Sequence, residues 1–198
     1  MQELLLSRVA RRNAQGGSTY ETLATIQAIQ FASNPQTRIP ILNLSASWAQ
    51  NVPAKTDAIS SFPGLFVVAA GNNNREITSA QPTFPAMHRL PNLISVGASN
   101  SNNQRATGWS GGQGSNWSQR YVCIFAPGDN IRSSVQTGDN AFGNWNGSSM
   151  SVPHVAGIAA LMLSVDPTLS PLEKAAIIMC TVDVSPAFQN ISVSGGGE

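Results

Sequence analysis

Apolar segments of two kinds alternate along this chain of 198 residues. Short continuous runs rich in β-branched residues predict buried strands, and longer segments with apolar residues at helical spacing predict helices. The predicted strands are residues 3–10, 38–45, 65–71, 92–99 and 121–128. The predicted helices are residues 18–32, 54–62, 149–165 and 170–182. Strands that alternate with helices in this way favour an α/β fold with a largely parallel central sheet flanked by helices.

One polar stretch, GWSGGQGSNWS at residues 108–118, interrupts the alternation and is typical of a surface loop. Its glycines do not resemble a phosphate-binding loop, because neither a helix nor a P-loop lysine follows them. Ligands of open parallel sheets bind beyond the carboxyl ends of the strands. We therefore expect functional residues in the segments that follow strands, at residues 45–48, at residues 71–74 and from residue 129 onward.

The charge of the chain excludes some classes of partner. Charged residues make up only 11% of the sequence and the formal net charge is +1, which leaves no electrostatic footprint for nucleic acid or an anionic membrane. Arg8, Arg11 and Arg12 form the one basic cluster, which we interpret as a solvated strand end. No apolar stretch approaches the roughly 20 residues of a membrane span. We expect neither nucleic acid nor a membrane as a partner, and the oligomeric state stays open.

The segment NGSSMSVPHVAG, residues 146–157, allows two interpretations of Ser149. A serine at a helix N-terminus is often only a cap, because its oxygen accepts hydrogen bonds from free backbone N–H groups. A nucleophile at that place gains from the same N–H groups, which stabilise a developing oxyanion. Gly147 permits a sharp turn, and Pro153 is expected in the first helical turn, where its missing donor costs least. The segment does not match the G-x-S-x-G nucleophile motif of the α/β-hydrolases, because Ser151 occupies the position of its last glycine.

Three segments resemble the subtilisin-like serine protease family. GSSMSVPHVAG at residues 147–157 resembles the nucleophile motif Gly-Thr-Ser-Met-Ala-x-Pro-His-Val-Ala-Gly and departs from it only at Ser148 and Ser151. VVAAGNNN at residues 67–74 is similar to the family's strand that ends in Ala-Gly-Asn, whose Asn donates a hydrogen bond to the oxyanion. ILNLSAS at residues 41–47 is similar to the family's segment that lines the substrate cleft.

This resemblance extends from residue 3 to residue 182 and implies a subtilisin-like three-layer α/β/α fold, with residues 1–198 as a single partial peptidase domain. It implies a serine-type endopeptidase that cleaves polypeptide substrates, with Ser149 as the nucleophile and Asn72 in the oxyanion hole. The residues that it implies for substrate binding are Ser45, Ala46, Ser47, Ala70 and Gly71. Gly16–Thr19 is the candidate for the cleft strand opposite Ser45. The family also suggests secretion.

The family's Asp-Ser/Thr-Gly and His-Gly-Thr motifs do not occur in this sequence, and its start, MQELLLSRVARR, is unlike an export signal. We therefore expect a chain truncated at its N-terminus, with an apolar sheet edge left exposed. Only two histidines are present. His154 follows Ser149 by five residues, about 140° around the helix, and is interpreted as a packing residue; His88 is interpreted as a surface residue. Without an oriented general base, we expect the chain alone to be inactive.

Two alternatives stay open beside the protease. The chain is also compatible with a non-catalytic relic that serves as a binding or interaction module, and with an acyl-transfer enzyme other than a protease. No cofactor and no metal are expected. Some relatives hold structural calcium through an Asp before the Ile/Phe-x-Pro-Gly segment, but Cys123 stands there, and a thiol is a poor ligand for a hard cation. Cys123 and Cys180 are compatible with a disulfide or with two free thiols.

Overall fold

The computed structural model of the protein describes residues 10–12, 18–20, 22–37 and 39–194. Its first two strands, β1 (Ala10–Arg12) and β2 (Ser18–Tyr20), pair antiparallel. The predicted strand at residues 3–10 lies outside the described residues except for Ala10, as do Arg8, Gly16 and Gly17. The prediction that a helix begins at residue 18 is wrong, because residues 18–20 form β2. Among the described residues β2 pairs with β1, and the assignment of Gly16–Thr19 to the cleft stays a prediction.

Four parallel strands form the central sheet, in the order in which they occur along the chain. They are β3 (Ile41–Leu44), β4 (Leu65–Ala69), β5 (Leu93–Ser99) and β8 (Ile124–Pro127), and the short strands β6 (Thr107–Trp109) and β7 (Gln113–Gly114) intervene in the chain. Every residue of β4 and β5 is buried, because the sheet is covered on both faces. The four predicted strands of the sheet are thereby confirmed.

Two pairs of helices cover the two faces of this sheet. They are α1 (Thr22–Ser33) and α2 (Pro53–Ser60) on one face, and α3 (Ser148–Val165) and α4 (Pro171–Cys180) on the other. Alternate residues of a strand point to opposite faces. Phe66 therefore packs in the same core as Ile29 and Ile59 of the first helix pair, whereas Val67 packs with Val155 of the second. The expected three-layer α/β/α arrangement is confirmed.

The prediction of a surface loop at residues 108–118 is wrong in part. β6 and β7 form an antiparallel hairpin there, joined by a single turn of 3-10 helix. Trp109, Ser115 and Asn116 are buried within this segment. The Trp109 indole N–H donates a hydrogen bond of 2.7 Å to Asp129 Oδ1, which satisfies its one donor as the ring leaves water.

A second antiparallel hairpin precedes α3 and was not predicted. It consists of β9 (Ile131–Ser134) and β10 (Phe142–Trp145). Its residues are largely exposed, Phe142 and Trp145 among them, and the sequence shows no alternation of apolar and polar positions from which a strand could be inferred. The hairpin leads directly into Gly147 and the first residue of α3.

The helix α3 is 18 residues long and apolar enough to cross a membrane by length and composition. The statement that no apolar stretch approaches this length is therefore wrong. The helix packs against all four strands of the central sheet, with Val152, Val155 and Ala159 fully buried. This packing accounts for part of its apolar character, because Ile158, Leu161 and Val165 on the same helix are exposed.

The strand β3 lies at one end of the sheet, and its neighbour among the described strands is β4. Ile41, Leu42 and Leu44 are only half-buried, in contrast to the fully buried strands beside them. The expected exposure of an apolar sheet edge stays a prediction, because most of the predicted strand at residues 3–10 lies outside the described residues.

Candidate active site

The segments that follow β3 and β4 meet at one edge of the sheet. The two strands are parallel, with Leu44 opposite Val68, so their carboxyl ends lie side by side. A Cβ at Gly71 would lie 3.4 Å from Ser47 Oγ, which shows how closely the two segments approach. The structure thus brings together the residues predicted to bind substrate, which are Ser45, Ala46, Ser47, Ala70 and Gly71. Their role in substrate binding stays a prediction.

Ser149 reaches this edge from the first turn of α3. Its Oγ donates a hydrogen bond of 3.2 Å to the backbone oxygen of Ser45, and Ser45 Oγ donates one of 2.8 Å to the backbone oxygen of Ser149. The N-cap position is Gly147, and the Ser149 hydroxyl group donates to Ser45 instead of accepting from a backbone N–H of the first turn. The interpretation of Ser149 as a cap is therefore wrong. Ser149 is half-buried and lies beside the predicted substrate segment.

Pro153 makes the contact between Ser45 and Ser149 possible. It is the sixth residue of α3, in the second turn, so its expected place in the first turn is wrong. In a regular helix the N–H of residue 153 would donate to the backbone oxygen of Ser149. Proline has no N–H, which leaves this oxygen without its helical donor. Ser45 Oγ supplies the missing hydrogen bond and ties the end of β3 to the start of α3.

Asn72 contacts the residue before Ser149. Its Oδ1 accepts hydrogen bonds from Ser148 N, at 2.9 Å, and from Ser148 Oγ, at 2.8 Å. Ser148 Oγ also accepts a hydrogen bond of 3.0 Å from Gly71 N, and Ser148 is fully buried. Ser148 therefore holds both the side chain of Asn72 and the backbone just before it.

These contacts fix which end of the Asn72 amide is available. Because Oδ1 takes both donors of Ser148, the side chain is oriented with Nδ2 on the opposite side. A Cβ at residue 147 would lie 3.1 Å from Asn72 Nδ2, so Gly147, whose φ is 151°, leaves the space beside that group open. The N–H of Ser149 lies in the first helical turn, where no intrahelical carbonyl accepts it. Asn72 Nδ2 and Ser149 N–H are thus two candidate donors for an oxyanion.

Neither histidine contacts Ser149 in the described part of the chain. His154 is exposed, and its Nδ1 lies 2.8 Å from the backbone oxygen of Met150, one helical turn away. The interpretation of His154 as a packing residue is therefore wrong, because its ring lies on the solvent side of α3. His88 is half-buried rather than on the surface: its Nε2 lies 3.0 Å from Thr56 Oγ1, and its ring packs on Phe84. Burial lowers the pKa of His88 below its usual value.

The two cysteines are both free thiols, and Cys180 is exposed. Burial raises the pKa of the Cys123 thiol, which keeps it protonated and makes it a still weaker metal ligand. Within residues 10–12, 18–20, 22–37 and 39–194, no group of three or more His, Cys, Asp or Glu side chains is placed to hold a metal ion. The expectation that the protein uses neither metal nor cofactor stays a prediction.

The sequence matches the model of the Subtilase family over residues 3–195, nearly its whole length. The chain belongs to the subtilase family. Alkaline elastase YaB from Bacillus sp. (strain YaB) is 32% identical over 160 residues, which are 81% of this chain and 38% of that protein. Subtilisin amylosacchariticus from Bacillus subtilis subsp. amylosacchariticus is 43% identical over 112 residues, 56% of this chain and 26% of the relative. A cuticle-degrading serine protease from Arthrobotrys oligospora is 32% identical over 148 residues, 75% of this chain and 33% of the relative.

This subtilase chain thus spans between 26% and 38% of the length of these three relatives. The relatives are named as an elastase, a subtilisin and a serine protease, which agrees with the family resemblance of the three motif segments. Ser149 and Asn72 lie in two segments that resemble motifs of the family, and in the structure of the subtilase both residues lie at the same edge of the sheet.

The sequence pattern did not indicate two residues that contribute to the candidate site. Ser148 was regarded only as a tolerable departure from the motif, although it is the contact between Asn72 and α3. Asn116 was assigned to a surface loop, although it is fully buried beside Gly71. The two tryptophans at positions 109 and 117 were the available signal, because large aromatic residues are uncommon in exposed polar loops.

Proposed function

We propose that this chain carries the nucleophile part of a serine endopeptidase that cleaves polypeptides. The observation that carries the proposal is that Asn72 contacts Ser148, the neighbour of Ser149, while Ser149 contacts Ser45, so that both candidate residues lie at the carboxyl edge of the sheet. Membership of the subtilase family and the protease names of the relatives support the reaction class.

In the proposed reaction, Ser149 Oγ attacks the carbonyl carbon of the scissile peptide bond after giving up its proton to a general base. Negative charge then develops on the former carbonyl oxygen. Asn72 Nδ2 and the N–H of Ser149 donate hydrogen bonds to this oxygen, and the loss of one such donor lowers kcat by about 10²–10³-fold in serine proteases. The amine leaves with a proton, and water hydrolyses the acyl-enzyme.

The substrate backbone lies, in this proposal, between the two segments that follow β3 and β4. Ser45–Ser47 form one side and Ala70–Gly71 the other. Ala46, Ala70 and Gly71 are buried, whereas Ser45 and Ser47 are half-buried and present polar atoms at the edge. An extended peptide can bind to such an edge, because its main-chain groups form hydrogen bonds with backbone groups of the protein that are not paired within the sheet.

The general base is the part of the site that the described residues do not supply. The hydrogen bond of Ser149 Oγ goes to a backbone oxygen, which is not basic enough to remove the proton of a hydroxyl group. His88 and His154 are held by Thr56 and by the Met150 backbone oxygen. We therefore assign the base to a histidine other than these two, and so to polypeptide that this sequence does not include.

Chemical rescue tests both parts of this proposal. A fluorophosphonate probe labels a serine only when a base activates it, and added imidazole can stand in for a missing histidine side chain. We expect slow labelling of the 198-residue chain, and faster labelling when imidazole is present. Ser149→Ala should abolish the adduct. Ser151→Ala is the matched control on the same helix and should leave it unchanged.

Two results would contradict the proposal in different ways. If imidazole produced no adduct at Ser149 in a chain with native circular dichroism, Ser149 would not be a nucleophile. If the chain alone turned over a peptide ester and Ser149→Ala stopped it, the base would lie within these 198 residues.

A non-catalytic binding module is the second candidate. It is favoured by the contact of Ser149 Oγ with a backbone oxygen instead of a histidine. It predicts that an apolar acyl-peptide binds at the edge beside Ser45 with equal affinity in wild type and in Ser149→Ala, while imidazole produces no labelling in either.

Secretion belongs to the proposal as well. It follows from the family resemblance, and a test is whether the full-length product of the gene accumulates in the culture medium. No cofactor, metal or nucleic acid has a role in the proposed reaction.

A further inference from the structure

The loop that carries Asn72 has almost no regular structure of its own. We call residues 70–76 the Asn72 loop; it begins at the end of β4 and reaches the bridge at Glu76. Asn73, Asn74 and Glu76 are exposed, and Asn74 has a positive φ of 54°. Hydrophobic burial therefore contributes little to its shape. The position of the Asn72 amide must come from specific hydrogen bonds.

Those hydrogen bonds come from the segment that follows β7. Backbone groups pair on both sides of Asn72: Asn116 N donates to Gly71 O at 2.8 Å, and Asn74 N donates to Gly114 O at 2.8 Å. Trp117 N donates to Arg75 O at 3.1 Å. The Asn72 loop thus lies against residues 114–117 as a short stretch of parallel pairing, with bridges at Asn73 and Glu76.

The side chain of Asn116 adds a second set of contacts to the same loop. Its Oδ1 accepts hydrogen bonds from Asn73 N, at 2.8 Å, and from Arg75 N, at 3.4 Å. Its Nδ2 donates to Ala70 O, at 3.0 Å, and to Thr83 Oγ1, at 3.4 Å. Asn116 is fully buried, and four of its hydrogen bonds, one from its backbone N–H and three from its side chain, go to the Asn72 loop.

From this geometry we infer that Asn116 is a positioning residue for Asn72. It contacts the residues before and after Asn72 without touching Asn72 itself, and so sets the direction in which the amide leaves the backbone. The inference rests on the function proposed above. A primary amide suits the position because one end accepts from backbone N–H groups while the other donates to a backbone oxygen. Aspartate lacks the donor, and alanine lacks both ends.

Gly71 leaves room for the side-chain amide of Asn116. A Cβ at Gly71 would lie 2.6 Å from Asn116 Nδ2, which is closer than a side chain can approach. The φ of Gly71 is +95°, a region that favours glycine in any case. The absence of a side chain at residue 71 therefore leaves the space that the Asn116 amide fills.

Hydrogen exchange at Ser148 N–H tests the inference without catalysis. This N–H donates to Asn72 Oδ1 and has no intrahelical acceptor, so its protection reports whether Asn72 is in place. Its exchange rate is compared with that of the Val96 N–H in buried β5, which reports opening of the whole sheet. We expect Asn116→Ala to raise the exchange rate of Ser148 relative to Val96 by about tenfold.

Ser118→Ala is the matched control. Ser118 is also buried in the same segment, but its Oγ donates to Ile77 O, beyond the Asn72 loop. We expect this variant to change the exchange of Ser148 and Val96 in proportion, so that their ratio stays within about twofold of wild type. If Asn116→Ala does not fold, Asn116→Asp keeps the volume and the acceptor, and should still change the ratio more than Ser118→Ala does.

A Ser148-to-Val96 ratio in Asn116→Ala or Asn116→Asp that equals the ratio in Ser118→Ala would overturn the inference. The exchange measurement requires no chemistry at Ser149. A chain in which imidazole fails to produce labelling therefore counts against the proposed function alone, and an unchanged exchange ratio counts against the role of Asn116 alone.

Discussion

Two segments lead to the two residues of the candidate site, and they are held in different ways. The Asn72 loop is fastened by Asn116 and Ser148, both fully buried. The side-chain hydrogen bonds within the segment that leads to Ser149, residues 128–147, come from exposed asparagines: Asn146 Oδ1 accepts from Asn130 N, and Asn144 Nδ2 donates to Asn130 Oδ1. The segment is also held by the backbone pairing of β9 with β10, by the Trp109 indole on Asp129, and by a backbone hydrogen bond of 2.8 Å from Gly147 N to Gly128 O.

The difference between buried and exposed hydrogen bonds shows which contacts fix the conformation of each segment. An exposed hydrogen bond exchanges with water at small net cost, whereas a buried group left without a partner keeps its full desolvation penalty. The Asn72 loop therefore depends on a few residues that cannot be replaced cheaply. Ser149 instead takes its position from α3, which packs against all four strands of the central sheet.

The largest effect is expected when a side chain is added inside the buried network. Gly71→Ala places a Cβ 2.6 Å from Asn116 Nδ2 at a φ of +95°, and should lower the free energy of unfolding by about 3 kcal/mol or more. The control is Gly111→Ala, where φ is +72° but nothing lies within 4 Å, and where a loss of about 1–2 kcal/mol is expected. Urea unfolding measures both, and equal losses would show that the Asn116 amide gives way freely.

A smaller effect is expected when one buried hydroxyl group is removed. Ser148→Ala leaves Gly71 N without its acceptor and takes one of two donors from Asn72 Oδ1, so we expect a loss of about 1–3 kcal/mol in urea unfolding. Asn146→Ala is the counterpart in the exposed segment, and its removal of one exposed acceptor should change stability by about 0.5 kcal/mol at most. Similar losses in the two variants would remove the contrast between the segments.

The smallest effect concerns His88, whose half-buried contact with Thr56 belongs to neither segment. Burial holds the pKa of His88 below the value of the unfolded chain, so the folded state favours the neutral ring. This contribution to stability is complete above the unfolded pKa of about 6.5 and is lost as the pH falls toward the folded pKa. We expect wild type to lose more stability than His88→Gln between about pH 7 and pH 5.5. Parallel pH curves would contradict the assignment to His88.

Much of the fold followed from local patterns. The strand β4 is a continuous apolar run, which is the composition expected of a strand buried on both faces. The helix α4 has Ser170 as its N-cap, and Glu173 completes a capping box. Residues next to the start of the helix therefore determine where it begins. Such elements could be predicted because their causes lie within one segment.

The elements that were missed have causes outside their own segments. The sequence of residues 108–118 is typical of a loop, but in the folded chain Trp109 contacts Asp129 and Asn116 contacts the Asn72 loop. The strands β9 and β10 are paired with each other but largely exposed, so apolar periodicity does not mark them. The prediction that His88 lies on the surface was wrong for the same reason. The residues that contact it are Thr56, which is distant in the chain, and Phe84, and the sequence around His88 does not indicate these contacts.

The sequence alone determined which residues are the candidates for the chemistry. The motif around Ser149, the Asn that ends the β4 segment and the presence of only two histidines are all local facts, and no packing changes them. The tertiary structure alone decided what holds those residues. Pro153 frees the backbone oxygen of Ser149 for Ser45, and Asn116 fills the space beside Gly71. Both contacts join residues far apart in the chain, and hydrogen-bond partners at that separation are chosen by the packing of the sheet and its helices rather than by neighbouring residues.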